Sequence, residues 1–241
     1  MFHKSRGIVL HSTKYSDSSL IVKIYTEGFG LQSYILRSAR NRKSKMKVGI
    51  FQPLALLNFV VSHNKKRGLQ FIKEITECRH FSGIPYDIKK SSIAFFIAEV
   101  LCKAIREEEQ NKALFDFIYS SIQTLDTTEE RVSEFHLMFL LELTKYLGFY
   151  PHSNYGDKNS IFNLYEGRFQ EHLPEHPYFI EKDLSKHFHD LLGSPYNEMR
   201  MFRVSSVIRK ELLNKILDYY QIHLHGFNSV KSVTVLEEVF T

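Results

Sequence analysis

The sequence predicts an α+β chain of two domains: a five-stranded β-barrel in residues 1–80 and an all-helical domain in residues 81–241, with a small irregular or β insertion at about 152–180. Three observations predict this division. Residues 7–77 are rich in β-branched and aromatic residues and are punctuated by turns that contain glycine. Farther along, apolar residues recur at three- and four-residue steps, which is typical of helices. The charge also changes, because residues 1–80 hold 15 Lys and Arg against 4 Asp and Glu, whereas the rest hold 17 against 23.

Five apolar runs separated by turns predict the strands of the barrel. Glu27–Gly30 supplies glycines to a hairpin turn, and Pro53 lies at the start of the fourth run, where a missing N–H is tolerated. Five short strands with tight turns fit a small closed or partly open barrel of the oligonucleotide-binding (OB) type. The predicted strands cover residues 8–10, 20–26, 31–36, 54–61 and 69–75.

Helical periodicity predicts five helices in the second domain. Thr127 and Thr128, followed by two glutamates, indicate the capped start of the third helix, which ends near Gly148. The turn Glu166–Gly167 predicts a small hairpin within the insertion. The tail 226–241 contains the β-like stretch 233–235 and is hard to place. The five predicted helices lie at about 93–105, 114–122, 127–147, 181–192 and 197–224.

Composition excludes several classes of protein. Hydrophobic residues make up 43% of the chain and charged residues 24%, as in a folded globular protein. No apolar run approaches the roughly 20 residues of a membrane helix. The apolar piece 7–10 is too short for a secretory signal, so we expect a cytoplasmic protein. The two cysteines, Cys78 and Cys102, are then expected to be buried, reduced thiols.

Clustered cations predict a nucleic-acid interface on the barrel. Six of the eleven residues in segment 37–47 are cationic and none is acidic, so the phosphates of a strand would relieve their mutual repulsion. A second cluster lies in the turn between the fourth and fifth strands, at one of the two loops that border the ligand face of OB barrels. Tyr15 and Tyr34 are candidates for stacking on bases, although any aromatic residue of the barrel can instead belong to its core. The predicted cationic residues are Arg37, Arg40, Arg42, Lys43, Lys45, Lys47, Lys65, Lys66 and Arg67.

Signatures of catalysis and of metal binding are missing from the sequence. It contains no phosphate-binding Gly-x-x-x-x-Gly-Lys loop, no Gly-x-Ser-x-Gly elbow and no His-Glu-x-x-His motif. The closely spaced histidines have poor ligand geometry, since His187 and His189 diverge on a helix and Pro174 separates His172 from His176. We therefore predict a non-enzymatic protein without cofactor or metal. An RNA-binding barrel protein, a nuclease with an unfamiliar site and a structural adaptor remain as alternatives.

Several segments, in their order and spacing, resemble the RecO family of recombination mediators. The segments are 7–10, 15–22, 25–30, the basic stretch 37–47, 143–151 and 164–169. The resemblance implies an OB barrel followed by a helical domain, and a protein that binds single- and double-stranded DNA and anneals complementary strands. It also implies contacts with RecR and single-strand-binding protein, and an indirect role in loading the RecA recombinase. Many family members carry a four-cysteine zinc site after the segment that corresponds to 147–151. This chain has no cysteine beyond Cys102, which predicts that it holds no zinc.

Overall fold

A computed structural model describes residues 2–17, 19–36, 48–64, 67–129, 131–196 and 202–240. The chain divides into two compact units, Met1–Thr128 and Glu129–Thr241. The first unit holds five strands and two helices, and the second holds the other described helices and a small sheet. Among the described residues, no helix combines the length and the apolar character needed to cross a bilayer.

The first unit begins with the predicted five strands, which close into a barrel in the order β1-β2-β3-β5-β4. Neighbouring strands pair antiparallel except β3 and β5, which run parallel. A short 3-10 helix, Val48–Ile50, precedes β4. This architecture confirms the OB-type fold. The strands are β1 Phe2–Lys14, β2 Leu20–Thr26, β3 Gly30–Leu36, β4 Leu56–Ser62 and β5 Gln70–Cys78.

The long strand β1 closes the barrel by pairing with two partners. Its first half pairs with β4 and its second half with β2, with a shift of register between Val9 and His11. Gly7 lies where the two pairings overlap, and a Cβ there would come within 2.5 Å of the Phe59 ring and 2.6 Å of Ile24. The close approach of β1 to the core therefore requires glycine at this position.

Two helices complete the first unit, α1 at Ile88–Ala104 and α2 at Lys112–Thr127. The Asp87 carboxylate caps α1 by accepting two backbone N–H groups, and the Asn111 side chain caps α2 by accepting one. The barrel strands end at Cys78, next to the domain boundary predicted after residue 80, while the compact unit continues through α2. Cys78 and Cys102 are free, as expected, but they are half-buried.

The second unit contains four described helices and a three-stranded sheet of order β7-β6-β8. Gly167 adopts a left-handed conformation, with φ of 63°, in the turn between β6 and β7, which confirms the predicted hairpin. The elements are α3 Phe135–Leu147, β6 Ile161–Asn163, β7 Arg168–Gln170, β8 Phe179–Ile180, α4 Lys182–Gly193, α5 Ser206–His223 and α6 Val233–Val239.

The structure settles the tail, for which no element was predicted, and shows that the predicted start of the third helix is wrong. The β-like stretch 233–235 begins helix α6, because burial of Leu236 and Phe240 outweighs the local preference of β-branched residues for strands. The third helix does not begin at Thr127, whose hydroxyl donates to the carbonyl of Gln123 at 2.9 Å within the last turn of α2. Helix α3 begins at Phe135 instead.

Candidate nucleic-acid interface

The outer wall of β2, β3 and β5 carries a continuous row of apolar side chains. Ile21 pairs with Ile35 across β2 and β3, and Ile35 pairs with Phe71 across β3 and β5. These three side chains are half-buried, whereas Tyr34 and Gln70 beside them are buried inside the barrel. Because successive side chains of a strand point to opposite faces, these three side chains lie on the outer face of the barrel. We call Ile21, Ile35 and Phe71 the apolar row.

Two exposed lysines lie beside the apolar row. Lys23 follows Ile21 by two residues on β2, and Lys73 follows Phe71 by two residues on β5, so each shares the outward face of its strand. The Lys73 ammonium lies 4.2 Å from the centre of the exposed Phe2 ring. Within the described ranges, neither lysine forms a salt bridge to a carboxylate. Both charges are therefore available to an anion.

The loop between β1 and β2 lies at one border of this surface. The backbone N–H groups of Tyr15 and Ser16 both donate to the carbonyl of Ser19, at 3.0 and 3.3 Å, which holds the loop in a turn. Tyr15 is 62% exposed on this turn. Its ring is therefore accessible, and base stacking on Tyr15 stays a prediction.

The turn between β4 and β5 lies at the other border. The Arg67 N–H donates to the Asn64 carbonyl at 3.0 Å, and Arg67 is exposed. The other two cations of this cluster, Lys65 and Lys66, lie outside the described residues. The same holds for every cation predicted in segment 37–47: Arg37, Arg40, Arg42, Lys43, Lys45 and Lys47.

The prediction that Tyr34 stacks on bases is wrong. Its side chain is fully buried in the barrel core, where its ring meets that of Phe59 edge-on at 5.6 Å between centroids. A base therefore has no access to either face of the ring. Burial also raises the pKa of the Tyr34 phenol above its usual value.

Arg6 shows that part of the positive charge of the barrel is used internally. Its guanidinium donates to Glu27 at 2.8 Å and to Asp116 of α2 at 3.0 Å, and it lies over the rings of Phe115 and Tyr119 at 5.1 and 4.9 Å. The hydrogen bond from Arg6 lowers the pKa of the Glu27 carboxyl. We therefore exclude Arg6 from the interface.

Sequence reasoning missed five residues of this surface: Ile21, Ile35 and Phe71 of the apolar row, and the lysines Lys23 and Lys73. A lone lysine or phenylalanine in a strand gives no signal by itself. Knowledge of the strand register would have identified them. Side chains alternate between the two faces of each strand, so these residues lie on the outward face once the inward positions are known. Among the described residues, no group of three or more His, Cys, Asp and Glu side chains is arranged to hold a metal ion.

Comparison with known proteins relates the two parts of the chain to one family. Residues 1–81 match the family described as Recombination protein O N terminal, and residues 85–232 match Recombination protein O C terminal. Among curated proteins named DNA repair protein RecO, that of Azobacteroides pseudotrichonymphae is 35% identical, and that of Bacteroides fragilis is 38% identical, each with the full length of both chains aligned. That of Flavobacterium johnsoniae is 40% identical over 99% of both chains. The chain therefore belongs to the RecO family of DNA repair proteins.

Proposed function

We propose that this protein is a non-enzymatic recombination mediator whose barrel binds single-stranded DNA and anneals complementary strands. The observation that carries the proposal is the apolar row, flanked by Lys23 and Lys73 and bordered by the two loops that frame the ligand face of OB barrels. Family membership supports a role in DNA repair. Family membership alone does not specify how DNA binds, so the binding mode is derived from the surface of the barrel.

The binding mode follows from the two kinds of side chain on this surface. Aromatic and apolar groups such as Phe71 and Tyr15 offer faces on which bases of any sequence can stack. Lysines and arginines beside them neutralise phosphates and release condensed counterions. Such a surface favours an extended single strand and does not require a particular base sequence.

Annealing follows from the same electrostatics. Two complementary strands repel each other through their phosphates, and a cationic surface that contacts both strands lowers this barrier. The predicted clusters, with segment 37–47 as the larger one, supply most of the charge that this mechanism needs. The mechanism requires no nucleotide, metal or catalytic residue.

The partners of the protein are part of the proposal. We infer that the helical domain, taken as residues 81–241, contacts RecR and single-strand-binding protein, and through them assists the loading of RecA. We also infer that the barrel binds double-stranded DNA and that the protein acts in the cytoplasm, at the nucleoid when bound to DNA. These inferences rest on the family to which the chain belongs.

An annealing assay with matched charge reversals tests the proposal. Complementary oligonucleotides are annealed by the wild-type protein, with and without single-strand-binding protein, and by a variant in which Arg40, Arg42 and Lys43 are changed to Glu. The control reverses three exposed lysines of the second unit, Lys158, Lys182 and Lys186, so that both variants have the same net charge.

We expect the first variant to lose most of its annealing rate and the control to retain it. Equal losses in the two variants would mean that only the net charge of the chain matters, and would contradict the assignment of the interface. Preference for RNA over DNA strands of matched sequence in competition would instead support an RNA-binding accessory protein. Loss of labelled DNA only when a metal ion is added would reveal a nuclease.

A further inference from the structure

Gln70 is a polar residue at an inward-facing position of the barrel. It begins β5 and pairs with the buried Tyr34 of β3, and it is itself only 2% exposed. Its neighbour Phe71 faces outward, and the next inward residue, Ile72, is apolar. A buried amide is costly unless it is hydrogen-bonded, so its partners explain why glutamine occupies this position.

The Gln70 side chain bonds to the backbone of the β4–β5 turn three times. Its Oε1 accepts from the N–H of Asn64 at 2.9 Å. Its Nε2 donates to the carbonyl of Asn64 at 2.9 Å and to that of Arg67 at 2.6 Å. Both amide hydrogens and one acceptor site are thus used, and they join the two ends of the turn to the barrel interior.

We propose that Gln70 is a positioning residue for the nucleic-acid interface: it holds Asn64 and Arg67, the described ends of the β4–β5 turn, so that the Arg67 cation meets a phosphate in one arrangement. The proposal rests on the proposed function. The three hydrogen bonds reach Asn64 and Arg67, the two described residues that flank Lys65 and Lys66 in the sequence. Gln70 itself is buried and does not contact DNA.

The physical reason is the entropy of ordering. A loose loop of like charges must be ordered when it binds a strand, and this cost is subtracted from the affinity. A turn that is already held by a buried amide loses less freedom on binding. Arg67, at one held end of the turn, can then contact a phosphate at a smaller entropic cost.

Gln32 provides a matched control within the same barrel. It is also a buried glutamine, at 6% exposure, and its Nε2 donates to the carbonyl of Phe29 at 2.8 Å in the β2–β3 turn. That turn, residues 27–29, contains no lysine or arginine. Replacing either glutamine therefore removes a buried amide that holds a turn, but only Gln70 holds a turn with cations.

The experiment compares Gln70→Met with Gln32→Met, since methionine has a similar length and makes no comparable hydrogen bonds. Binding of a labelled single-stranded oligonucleotide is measured over a series of salt concentrations, and the melting temperature is measured for each variant. We expect Gln70→Met to bind about 3- to 10-fold more weakly, with a log–log salt slope that is smaller by about 0.7 for each phosphate that the turn no longer neutralises. We expect Gln32→Met to change the melting temperature without changing the slope.

A double-mutant cycle separates this inference from the proposed function. In a background where Lys65, Lys66 and Arg67 are changed to Gln, Gln70→Met should weaken binding no further, because it acts through those cations. Equal effects of Gln70→Met in both backgrounds, or equal slopes for the Gln70 and Gln32 variants, would overturn the positioning role. Failure of the wild-type protein to bind single-stranded DNA would instead overturn the proposed function.

Discussion

Tyr34 and Tyr15 lie on the same barrel but in opposite environments. The Tyr34 ring is enclosed by the core, and its hydroxyl has no hydrogen-bond partner among the described residues. Tyr15 lies on an exposed turn. The position of each residue on its strand or loop decides whether its ring contributes to stability or is available to a ligand.

We predict that Tyr34→Phe leaves the affinity for single-stranded DNA unchanged. The variant should be as stable as the wild type or more stable by about 1 kcal/mol, because it removes a buried hydroxyl without a partner. By contrast, Tyr15→Ala should weaken DNA binding without lowering stability, since stacking of one base contributes about 1–3 kcal/mol. Urea denaturation and fluorescence anisotropy measure the two effects. Weaker DNA binding by a stable Tyr34→Phe variant would contradict the core assignment.

A second residue-scale prediction concerns His136 on α3, which is fully enclosed in the second unit. Burial, with the neighbouring charge of Arg209, lowers its pKa from 6.5 to about 3, so the folded protein holds the imidazole neutral. The unfolded chain takes up a proton on this residue below about pH 6.5, and the free energy of unfolding should fall as the pH decreases toward 3, by up to about 1.4 kcal/mol per pH unit.

Denaturation of His136→Leu beside the wild type tests this dependence, because all other titrating groups are shared. Between about pH 7 and about pH 5, the variant should lose less stability than the wild type. Parallel losses in the two proteins would mean that His136 is protonated in the folded state or does not contribute.

At the scale of elements, strands and hairpins follow from the sequence because their signals are local. Alternation and glycine-containing turns predicted all five barrel strands and the β6–β7 hairpin. Helix α6 and the start of α3 did not follow, since distant contacts decide them. The guanidinium of Arg209 donates to the carbonyl of Phe240, 31 residues away, at 2.6 Å, which helps to hold the end of the tail against α5. No local pattern contains that information.

In the candidate site, too, the sequence predicts the local features and misses those that depend on distant contacts. Clusters of cations in segment 37–47 are visible in the sequence. The apolar row is not, because Ile21, Ile35 and Phe71 belong to three strands and meet only through register. Neutralisation of Arg6 by Asp116 likewise depends on a contact across 110 residues.

The linker between β5 and α1 gives a prediction at this scale. The Asp126 carboxylate, at the end of α2, accepts backbone N–H groups of Ser82, Gly83 and Ile84 at 2.8–3.1 Å. Burial opposes its ionisation, but these bonds and the nearby Lys90 lower the pKa of the carboxyl. The Asp126 side chain therefore anchors three consecutive residues of the linker.

We predict that Asp126→Ala lowers the free energy of unfolding by about 2–4 kcal/mol, because it leaves three backbone donors without their partner. Asp116→Ala is the control on the same helix. Its carboxylate is partly exposed in ion pairs, so the loss should stay below about 1 kcal/mol. Equal losses, measured by urea denaturation, would show that the hydrogen bonds to the linker contribute little.

At the scale of the whole molecule, charge is distributed unevenly along the chain. Residues 1–80 carry an excess of cations, and the remaining residues carry an excess of carboxylates. Eight of the fifteen basic residues of the barrel region belong to segment 37–47 or to Lys65 and Lys66. Because the basic residues are concentrated in these two segments, the proposed mechanism requires that these particular cations contact phosphates. The net charge of the chain alone does not test it.

The most direct test is the salt dependence of binding to a single-stranded oligonucleotide. The wild-type protein is compared with a variant in which all six cations of segment 37–47 are changed to Gln, from about 50 to about 300 mM salt. The proposed mechanism predicts a steep slope for the wild type, and a slope smaller by up to about 4 for the variant, at about 0.7 per phosphate contact. Identical slopes for the two proteins would contradict it.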